Sequence, residues 1–294
     1  MKFVEQRRQR LTQLRRLRPQ FNEIFDFYEH LYAFLAKQPN AFVSIAAPTP
    51  ADRVPHEAGF PLLQSTSFQV DGPSFGAFLR ALIAVLQRHG RQGQEDLARI
   101  DQALADATLD PAPLFGAYVG RERERFAADA AHLGIEPAIL EYLLGLACGF
   151  ALHGAREQGL KAAEGEWRQG YCPLCGGVPV MGELVGDEGR LLLHCGTCGQ
   201  SWPGARRTCT VCGNQDEKTL EYFTAGEDQG YRVNVCRKCD SYLKVVDSRE
   251  TGTDLPMDLE DVATLHLDLL AQREGFTRVK RDYAPADTGK AGLN

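Results

Sequence analysis

Four cysteine pairs of identical spacing decide the fold of this chain: Cys172-Pro-Leu-Cys175, Cys195-Gly-Thr-Cys198, Cys209-Thr-Val-Cys212 and Cys236-Arg-Lys-Cys239. They contain eight of its nine cysteines. Two cysteines three residues apart on a tight turn aim both sulfur atoms at one point, and two such turns supply four thiolates for a tetrahedral metal site. The spacing therefore predicts two metal sites between residues 172 and 239.

Three of the four pairs are followed directly by glycine, at Gly176, Gly199 and Gly213, whereas Asp240 follows the fourth. A turn of this kind, a knuckle, requires a positive φ at that position, which glycine adopts without steric cost. We therefore expect the same backbone geometry in all four knuckles, with Asp240 as a tolerated exception.

Alternating apolar residues between the knuckles predict two β-hairpins. The first has strands over 178–185 and 190–194, and the second over 220–224 and 231–235. A third short strand is expected after each second knuckle, around 201–202 and 242–246. The order of knuckle, hairpin, knuckle and strand thus occurs twice, which is an internal repeat.

The repeat favours sequential pairing, with Cys172, Cys175, Cys195 and Cys198 in one site and Cys209, Cys212, Cys236 and Cys239 in the other. Interleaved pairing stays open, because only ten residues separate Cys198 from Cys209. Redox-active dithiols are a second alternative, but such a motif normally occurs once and opens a helix. A disulfide framework would need an oxidising compartment.

Four thiolates suit zinc or iron, and the spacing does not separate the two metals. Iron would be a single ion in each site, as in rubredoxin. A site with four protein ligands has no open position for substrate, so hydrolytic metal catalysis is disfavoured. No phosphate loop, nucleophile elbow or zinc-protease motif is present, and no catalytic or other cofactor-binding residue is predicted. His194 precedes a ligand cysteine, but its side chain is expected to alternate away from the metal.

Composition and charge restrict the function further. The chain has 294 residues and a formal charge of −6. The segment between Tyr171 and Val246 contains eight Lys or Arg and nine Asp or Glu. This balance of charges argues against a nucleic-acid surface. No apolar segment follows the basic start, so no signal peptide is expected despite Arg7-Arg8. We expect a cytoplasmic protein with no nucleic acid or membrane partner.

Helical periodicity dominates the part of the chain before the metal region. Helices are expected over 1–18, 21–38, 74–88, 94–107, 113–132 and 139–153, with a long proline-rich loop at 39–72. The last helix contains Cys148 and is expected to be a core helix and not a membrane span. One more helix, over 257–273, would cover its apolar stripe by packing on the helical domain or on a second copy, which makes a homodimer possible.

These patterns predict an α+β multidomain chain: an all-α domain, two tandem β units that each hold a metal, and a C-terminal helix. The boundaries are an α-helical domain at 1–165, metal units at 166–206 and 207–250, the C-terminal helix at 251–276, and a flexible tail at 277–294.

The cysteine array then carries a resemblance to a known family. Tyr171-Cys-Pro-Leu-Cys-Gly176, the stretch from Leu193 to Trp202, and Ser241-Tyr-Leu-Lys244 resemble the formate dehydrogenase accessory proteins known as FdhE. The resemblance extends to the helical part and to Asp261–Phe276. It implies two rubredoxin-like or zinc-ribbon units whose eight cysteines bind two metal ions, with iron favoured and zinc as the alternative.

The resemblance also implies a non-enzymatic maturation factor that binds the catalytic subunit of formate dehydrogenase and is needed for its activity. A rubredoxin-like one-electron redox protein and a zinc-ribbon adaptor remain alternatives. Five basic residues lie near the ligands in sequence, namely Arg206, Arg207, Arg237, Lys238 and Lys244. We expect them to favour the more negative, reduced form of an iron site.

Overall fold

A computed structural model of the chain describes residues 2–40, 42–46, 49–65, 68–162, 167–226 and 230–278. Internal contacts divide the chain into two units. The first contains the described residues up to 162 together with Pro173–Gly176 and Thr197–Gly199. The second contains the remaining described residues.

The first unit is helical, as predicted. Its helices are α1 (Lys2–Leu17), α2 (Asn22–Leu35), α3 (Pro50–Glu57), α4 (Leu62–Ser65), α5 (Gly72–His89), α6 (Gln94–Ala105), α7 (Pro111–Gly120), α8 (Arg123–Leu133) and α9 (Pro137–Glu157), and a 3₁₀ turn at Pro19–Phe21 precedes α2. Two short strands, β1 (Val43–Ile45) and β2 (Phe68–Val70), pair antiparallel.

Two local predictions for this unit were wrong. The described parts of the proline-rich segment 39–72 are not irregular throughout, since they contain α3, α4 and the β1–β2 pair. The single helix predicted over 113–132 is two helices, α7 and α8, because Arg121 adopts a left-handed φ of 60° and ends the first. Gly120 and five charged residues separate the apolar positions of α7 from Phe126 of α8, and this gap is the sequence signal of the break.

Aromatic and aliphatic side chains fill the core of the first unit, and Phe25, Phe75 and Phe115 are among its largest fully buried residues. Helix α9 is long and apolar enough to cross a membrane by length and composition, and 56% of its most apolar window is buried inside the protein. Cys148 lies in α9 and is completely buried. The apolar side chains of α9 therefore contribute to the protein core.

The second unit is built on one sheet. Its strands are β3 (Pro179–Val185), β4 (Arg190–Cys195), β5 (Ser201–Gly204), β6 (Leu220–Phe223), β7 (Tyr231–Cys236), β8 (Ser241–Asp247) and β9 (Thr277–Arg278). The order across the sheet is β5-β4-β3-β8-β7-β6, and β9 pairs with β8. The two predicted hairpins and both third strands are present within a few residues of the expected positions.

Each repeat is a three-stranded antiparallel meander, and the two meanders join through β3 and β8. This junction is parallel, with Gly182 opposite Val245 and Leu184 opposite Asp247. The first strand of one repeat thus pairs with the last strand of the other, and the repeats share a single continuous sheet.

The C-terminal helix predicted over 257–273 is interrupted. Short helix α10 (Ser248–Thr251) precedes it, and α11 (Met257–Ala263) and α12 (Leu265–Arg273) meet at Thr264. We expected their apolar side chains to pack on the helical domain or on a second copy; they instead form one core with strands β7 and β8 of the same unit. In the predicted flexible tail, Thr277 and Arg278 pair with β8, and residues 279–294 lie outside the described residues.

Candidate metal centres

The structure gathers the eight cysteines of the array into two sets of four. Cys172, Cys175, Cys195 and Cys198 form set 1, and Cys209, Cys212, Cys236 and Cys239 form set 2. Within each set, all sulfur atoms lie within 4.8 Å of one another. Sequential pairing is therefore the arrangement in the structure, and interleaved pairing is not.

The four knuckles share their backbone geometry. Gly176, Gly199 and Gly213 each have a φ of 68°, and Asp240 has a φ of 50°. In three knuckles, the first cysteine donates its backbone N–H to the carbonyl five residues later, at 2.8 to 2.9 Å. In the fourth, Cys236 lies opposite Ser241 across the β7–β8 ladder. The expectation of a positive φ in all four turns is confirmed.

Sulfur separations test whether the two sets fit a metal ion. Cys175 Sγ lies 3.5 Å from Cys198 Sγ, Cys209 Sγ lies 3.7 Å from Cys239 Sγ, and Cys212 Sγ lies 3.8 Å from Cys236 Sγ. A tetrahedral ion with metal–sulfur bonds of about 2.3 Å needs sulfur–sulfur edges of about 3.8 Å. A disulfide would need about 2.05 Å. The geometry therefore fits two closed, four-sulfur sites that could hold two metal ions.

The two sets differ in their access to solvent. All four cysteines of set 1 are buried, whereas Cys212 of set 2 is exposed and Cys239 is half-buried. An ion in set 2 would therefore be within closer reach of small molecules in solution.

Polar groups around set 2 are placed to hold thiolates. Ser241 Oγ lies 2.9 Å from Cys239 Sγ, the backbone N–H of Val211 donates to Cys209 Sγ at 3.4 Å, and Asn214 Nδ2 donates to Cys236 Sγ at 3.6 Å. Such outer donors orient ligands and stabilise their negative charge. None of these three groups was recognised from the sequence, where only the knuckle spacing carries a signal.

The pKa values of the thiols in set 2 move in different directions. Burial raises the pKa of Cys239 to about 12. Burial also acts to raise the pKa of Cys236, but backbone N–H groups of Cys239 and Lys238 oppose it and lower that pKa to about 7. Four crowded thiols do not all ionise at neutral pH without a cation, because each thiolate disfavours the next. A bound metal ion would supply the charge that makes all four thiolates stable.

Knuckle residues of set 1 make hydrogen bonds within the first unit. Leu62 and Leu63 donate their backbone N–H groups to the carbonyls of Pro173 and Leu174, both at 2.9 Å. Arg156 Nη1 donates to the carbonyl of Cys198 at 3.0 Å. These bonds fix the backbone on both sides of set 1.

The positive charge expected around the ligands is largely compensated. Arg207 pairs with Glu217 at 3.0 Å, and Arg237 makes a bidentate pair with Glu221 at 2.8 and 2.9 Å. Lys244 is buried and lies 2.7 Å from Asp261 Oδ1 and 2.5 Å from Asp268 Oδ2. The expectation that these residues favour the reduced form of a metal site is therefore weakened.

His194 behaves as expected for a side chain directed away from the metal. Its Nε2 lies 2.7 Å from Glu183 Oε2, and Ser248 Oγ donates to the other oxygen of the same carboxylate. This interaction connects β3, β4 and α10, and it gives His194 a structural role.

Comparisons with known proteins agree with the array. Residues 208–283 match the family model described as FdhE, C-terminal domain. The chain is 38% identical over 120 residues to the Protein FdhE homolog of Aquifex aeolicus. The aligned residues cover 40% of this chain and 42% of that protein. It is 33% identical over 121 residues to Protein FdhE of Escherichia coli, with 40% and 38% covered. The predicted resemblance to the FdhE family is confirmed.

The sequence similarity to FdhE proteins covers part of the chain, whereas the similarity of the fold covers nearly all of it. The chain spans about two fifths of the length of the curated FdhE relatives it matches. The crystal structure of the FdhE protein from Pseudomonas aeruginosa superposes with a TM-score of 0.63 over 96% of each chain, at 23% identity. That structural likeness shows the fold: a helical part followed by two joined cysteine-knuckle repeats.

Proposed function

We propose that this chain is an FdhE-type accessory protein that binds the catalytic subunit of formate dehydrogenase in the cytoplasm and is needed for its activity. The observation that carries the proposal is the pair of closed, four-sulfur sets on a fold and sequence of FdhE type. Closed sites leave no position for substrate, which favours a binding and maturation role over hydrolytic catalysis. In this proposal the chain acts by binding its client and has no catalytic residue of its own.

The eight cysteines of sets 1 and 2 hold two metal ions in this proposal. Iron is favoured over zinc because the resemblance to FdhE implies rubredoxin-like sites. A mononuclear iron held by four thiolates supplies a one-electron couple with little change of geometry. The chain's own contribution is to bury set 1, to leave Cys212 of set 2 exposed, and to stabilise the thiolates through Asn214 and Ser241.

A one-electron redox role is the second candidate, because the exposure of Cys212 gives set 2 access to an electron donor or acceptor. Anaerobically purified chain with thiolate-to-iron absorption and a reversible one-electron potential, measured without any client, would support that role. A preparation that lacks the absorption and titrates with two zinc ions would remove it. A zinc-containing preparation would leave the proposed binding of the client intact.

Affinity capture tests the binding of formate dehydrogenase directly. The tagged full-length chain is co-expressed with the catalytic subunit and purified without oxygen. We expect the subunit to co-purify with the wild-type chain and with Cys148→Ser, since Cys148 lies in neither set. We expect its capture to fall when set 1 or set 2 loses a ligand. The proposal would be refuted if the wild-type chain captured no catalytic subunit and if cells that lack the chain kept full formate dehydrogenase activity.

A further inference from the structure

A groove of about 350 Å³ lies beside set 2, entirely within the second unit. The segment Ala205–Thr210 forms one wall, and Leu191 and Leu243 contribute apolar surface. Cys209 and Cys236 of set 2 also line it. Its volume falls at the lower end of the range of sites that bind small molecules.

The groove lies on the face of the sheet opposite the C-terminal helices. Side chains alternate along β7, so Tyr231 and Val233 join the core beneath α11 and α12, while Arg232 and Asn234 belong to the lining of the groove. Val235 belongs to both the core and the lining. One face of β7 is therefore filled by the protein itself, whereas the other presents a polar surface to a cavity.

Positive charge is concentrated in this groove, although the whole chain is acidic. Arg206, Arg207 and Arg232 line it together with one acidic residue, Glu221. Glu221 and Arg207 are neutralised by ion pairs with Arg237 and Glu217. Arg206 Nη1 donates to the carbonyl of Glu188 at 2.9 Å, and the carboxylate of Asp247 acts on Arg232 from a longer distance. Among the described residues, no carboxylate makes a direct ion pair with either arginine, so the groove retains two guanidinium groups that a carboxylate can pair with.

Two polar atoms of the groove-lining residues have no hydrogen-bond partner within the described part of the chain. They are Nε of Arg232, a donor, and Oδ1 of Asn234, an acceptor, and both are buried. A buried polar atom without a partner is unfavourable, so both atoms favour a ligand that completes their hydrogen bonds. The two residues lie two positions apart on β7, which is about 6.8 Å along a strand and equals the repeat of an extended peptide. The alternate side chains of an extended peptide recur at that repeat, so polar ones can supply both partners after small rotations of Arg232 and Asn234.

The neighbouring strand β6 is one of the two edge strands of the sheet among the described residues. Tyr222 of β6 is 64% exposed, and its ring supports the guanidinium of Arg232 at 4.9 Å. Edge strands bind extended peptides by strand addition, in which every second side chain of the peptide points to the same face. An added strand would direct alternate side chains toward Arg206 and Arg232.

We infer that this groove and the edge of β6 bind an extended, acidic peptide segment of the protein client. The inference rests on the proposed function, since it assigns the client's contact surface. A carboxylate of the segment meets Arg206 and Arg232, and its backbone meets β6. A long polyanion such as DNA is disfavoured, because a formal charge of −6 on the whole chain repels it outside this groove.

Capture of the formate dehydrogenase catalytic subunit by groove variants tests the inference. Arg206→Glu and Arg232→Gln should each reduce the captured subunit at least tenfold and weaken its dependence on salt. Arg190→Glu is the matched control, because Arg190 is an exposed arginine of the same unit that does not line the groove. Metal content and the circular dichroism spectrum should equal those of the wild type, which separates loss of binding from loss of folding.

A photo-crosslinking residue gives a second, independent measurement. Placed at Tyr222, it should attach to the client within an acidic segment that mass spectrometry identifies, whereas placement at exposed Leu17 of α1 should not attach to that segment. Equal capture by Arg206→Glu, Arg232→Gln and Arg190→Glu, or crosslinking to a non-acidic surface, would overturn the groove assignment and leave the proposed function intact. Absence of capture by the wild-type chain would overturn the groove assignment, and full formate dehydrogenase activity in cells that lack the chain would in addition overturn the proposed function.

Discussion

The phenol of Tyr242 donates a hydrogen bond of 2.7 Å to Asp268 Oδ1, and this bond connects β8 to α12. The other oxygen of Asp268 lies 2.5 Å from Nζ of buried Lys244. Arg278 completes the group, since its Nη1 lies 3.4 Å from Asp268 and its Nη2 donates to Asp261. The C-terminal helices are thus attached to the sheet by an ionic cluster as well as by apolar packing.

The wild-type chain should lose part of the unfolding free energy of its second unit above about pH 10, and Tyr242→Phe should remove this loss. Burial first, and then the hydrogen bond to Asp268, raise the pKa of Tyr242 above its ordinary value. A raised folded-state pKa gives stability that is fully present below about pH 10 and is lost as the pH rises toward the folded-state value. Urea unfolding at pH 7 and pH 10.5, followed by the fluorescence of Trp167 and Trp202, measures this loss of unfolding free energy.

At pH 7 the same substitution should cost about 1 kcal/mol for the lost hydrogen bond. Both tryptophans of the chain belong to the second unit, so their fluorescence reports that unit alone. Tyr222→Phe is the control, because Tyr222 is exposed, and it should leave both measurements unchanged. An equally steep alkaline loss in Tyr242→Phe and the wild type would contradict the prediction.

Asp268→Ala should destabilise the second unit by about 3 kcal/mol. The substitution leaves the buried ammonium of Lys244 with one carboxylate fewer, and breaking a buried pair is far more costly than losing an exposed one. The exposed pair of Arg237 and Glu221 offers the comparison, and Glu221→Gln should leave the urea midpoint unchanged. A similar midpoint for both variants would show that the cluster contributes no more than a surface ion pair.

Much of the second unit could be predicted from sequence because its determinants are local. Knuckle spacing and period-two alternation set the turns and hairpins, and even the exception at Asp240 adopts a φ of 50°. The parallel junction of β3 and β8 was not predicted, because the two strands are far apart in sequence and no local pattern specifies their register.

Residues that act through distant contacts were also missed. Lys244 resembled a surface residue near a ligand, and only the fold brings Asp261 and Asp268 to it. Arg232 is far in sequence from Arg206 and Arg207, so a charge count over the region concealed that the three line one groove. The alternation of Arg232 and Asn234 with apolar neighbours in β7 was the one available signal for this polar face.

Cys209→Ser should reduce the metal content from two ions per chain to one, because three thiolates do not complete set 2 while set 1 stays intact. Cys172→Ser should have the reciprocal effect. Cys148→Ser should retain both ions, since Cys148 is buried in α9 and belongs to neither set. Elemental analysis of the purified variants checks the prediction. Loss of both ions from either ligand variant, with Cys148→Ser unaffected, would mean that the two sets do not bind metal independently.

Gly199→Ala should be more destabilising than Gly213→Ala, although both glycines have a φ of 68°. A left-handed alanine costs about 1 kcal/mol at either position. A Cβ at Gly213 would meet nothing within 4 Å, whereas a Cβ at Gly199 would collide with the ring of His153. That ring is stacked on Phe3 at 4.6 Å, which hinders its movement.

Overpacking should therefore bring the total for Gly199→Ala to about 3 kcal/mol. Thermal unfolding followed by far-ultraviolet circular dichroism measures both variants. Equal midpoints would mean that the backbone conformation, and not the contact with His153, determines the cost.

Set 2 should release its ion to a chelator at least ten times faster than set 1. Attack by a chelator requires access to the metal–sulfur bonds, and Cys212 is exposed whereas all four cysteines of set 1 are buried. Release followed with a coloured chelator should show two phases of equal amplitude, and Cys209→Ser should lack the fast phase. Cys172→Ser should retain that fast phase alone. A single phase in the wild type, or a fast phase that persists in Cys209→Ser, would show that burial of the thiolates does not control access to the ions.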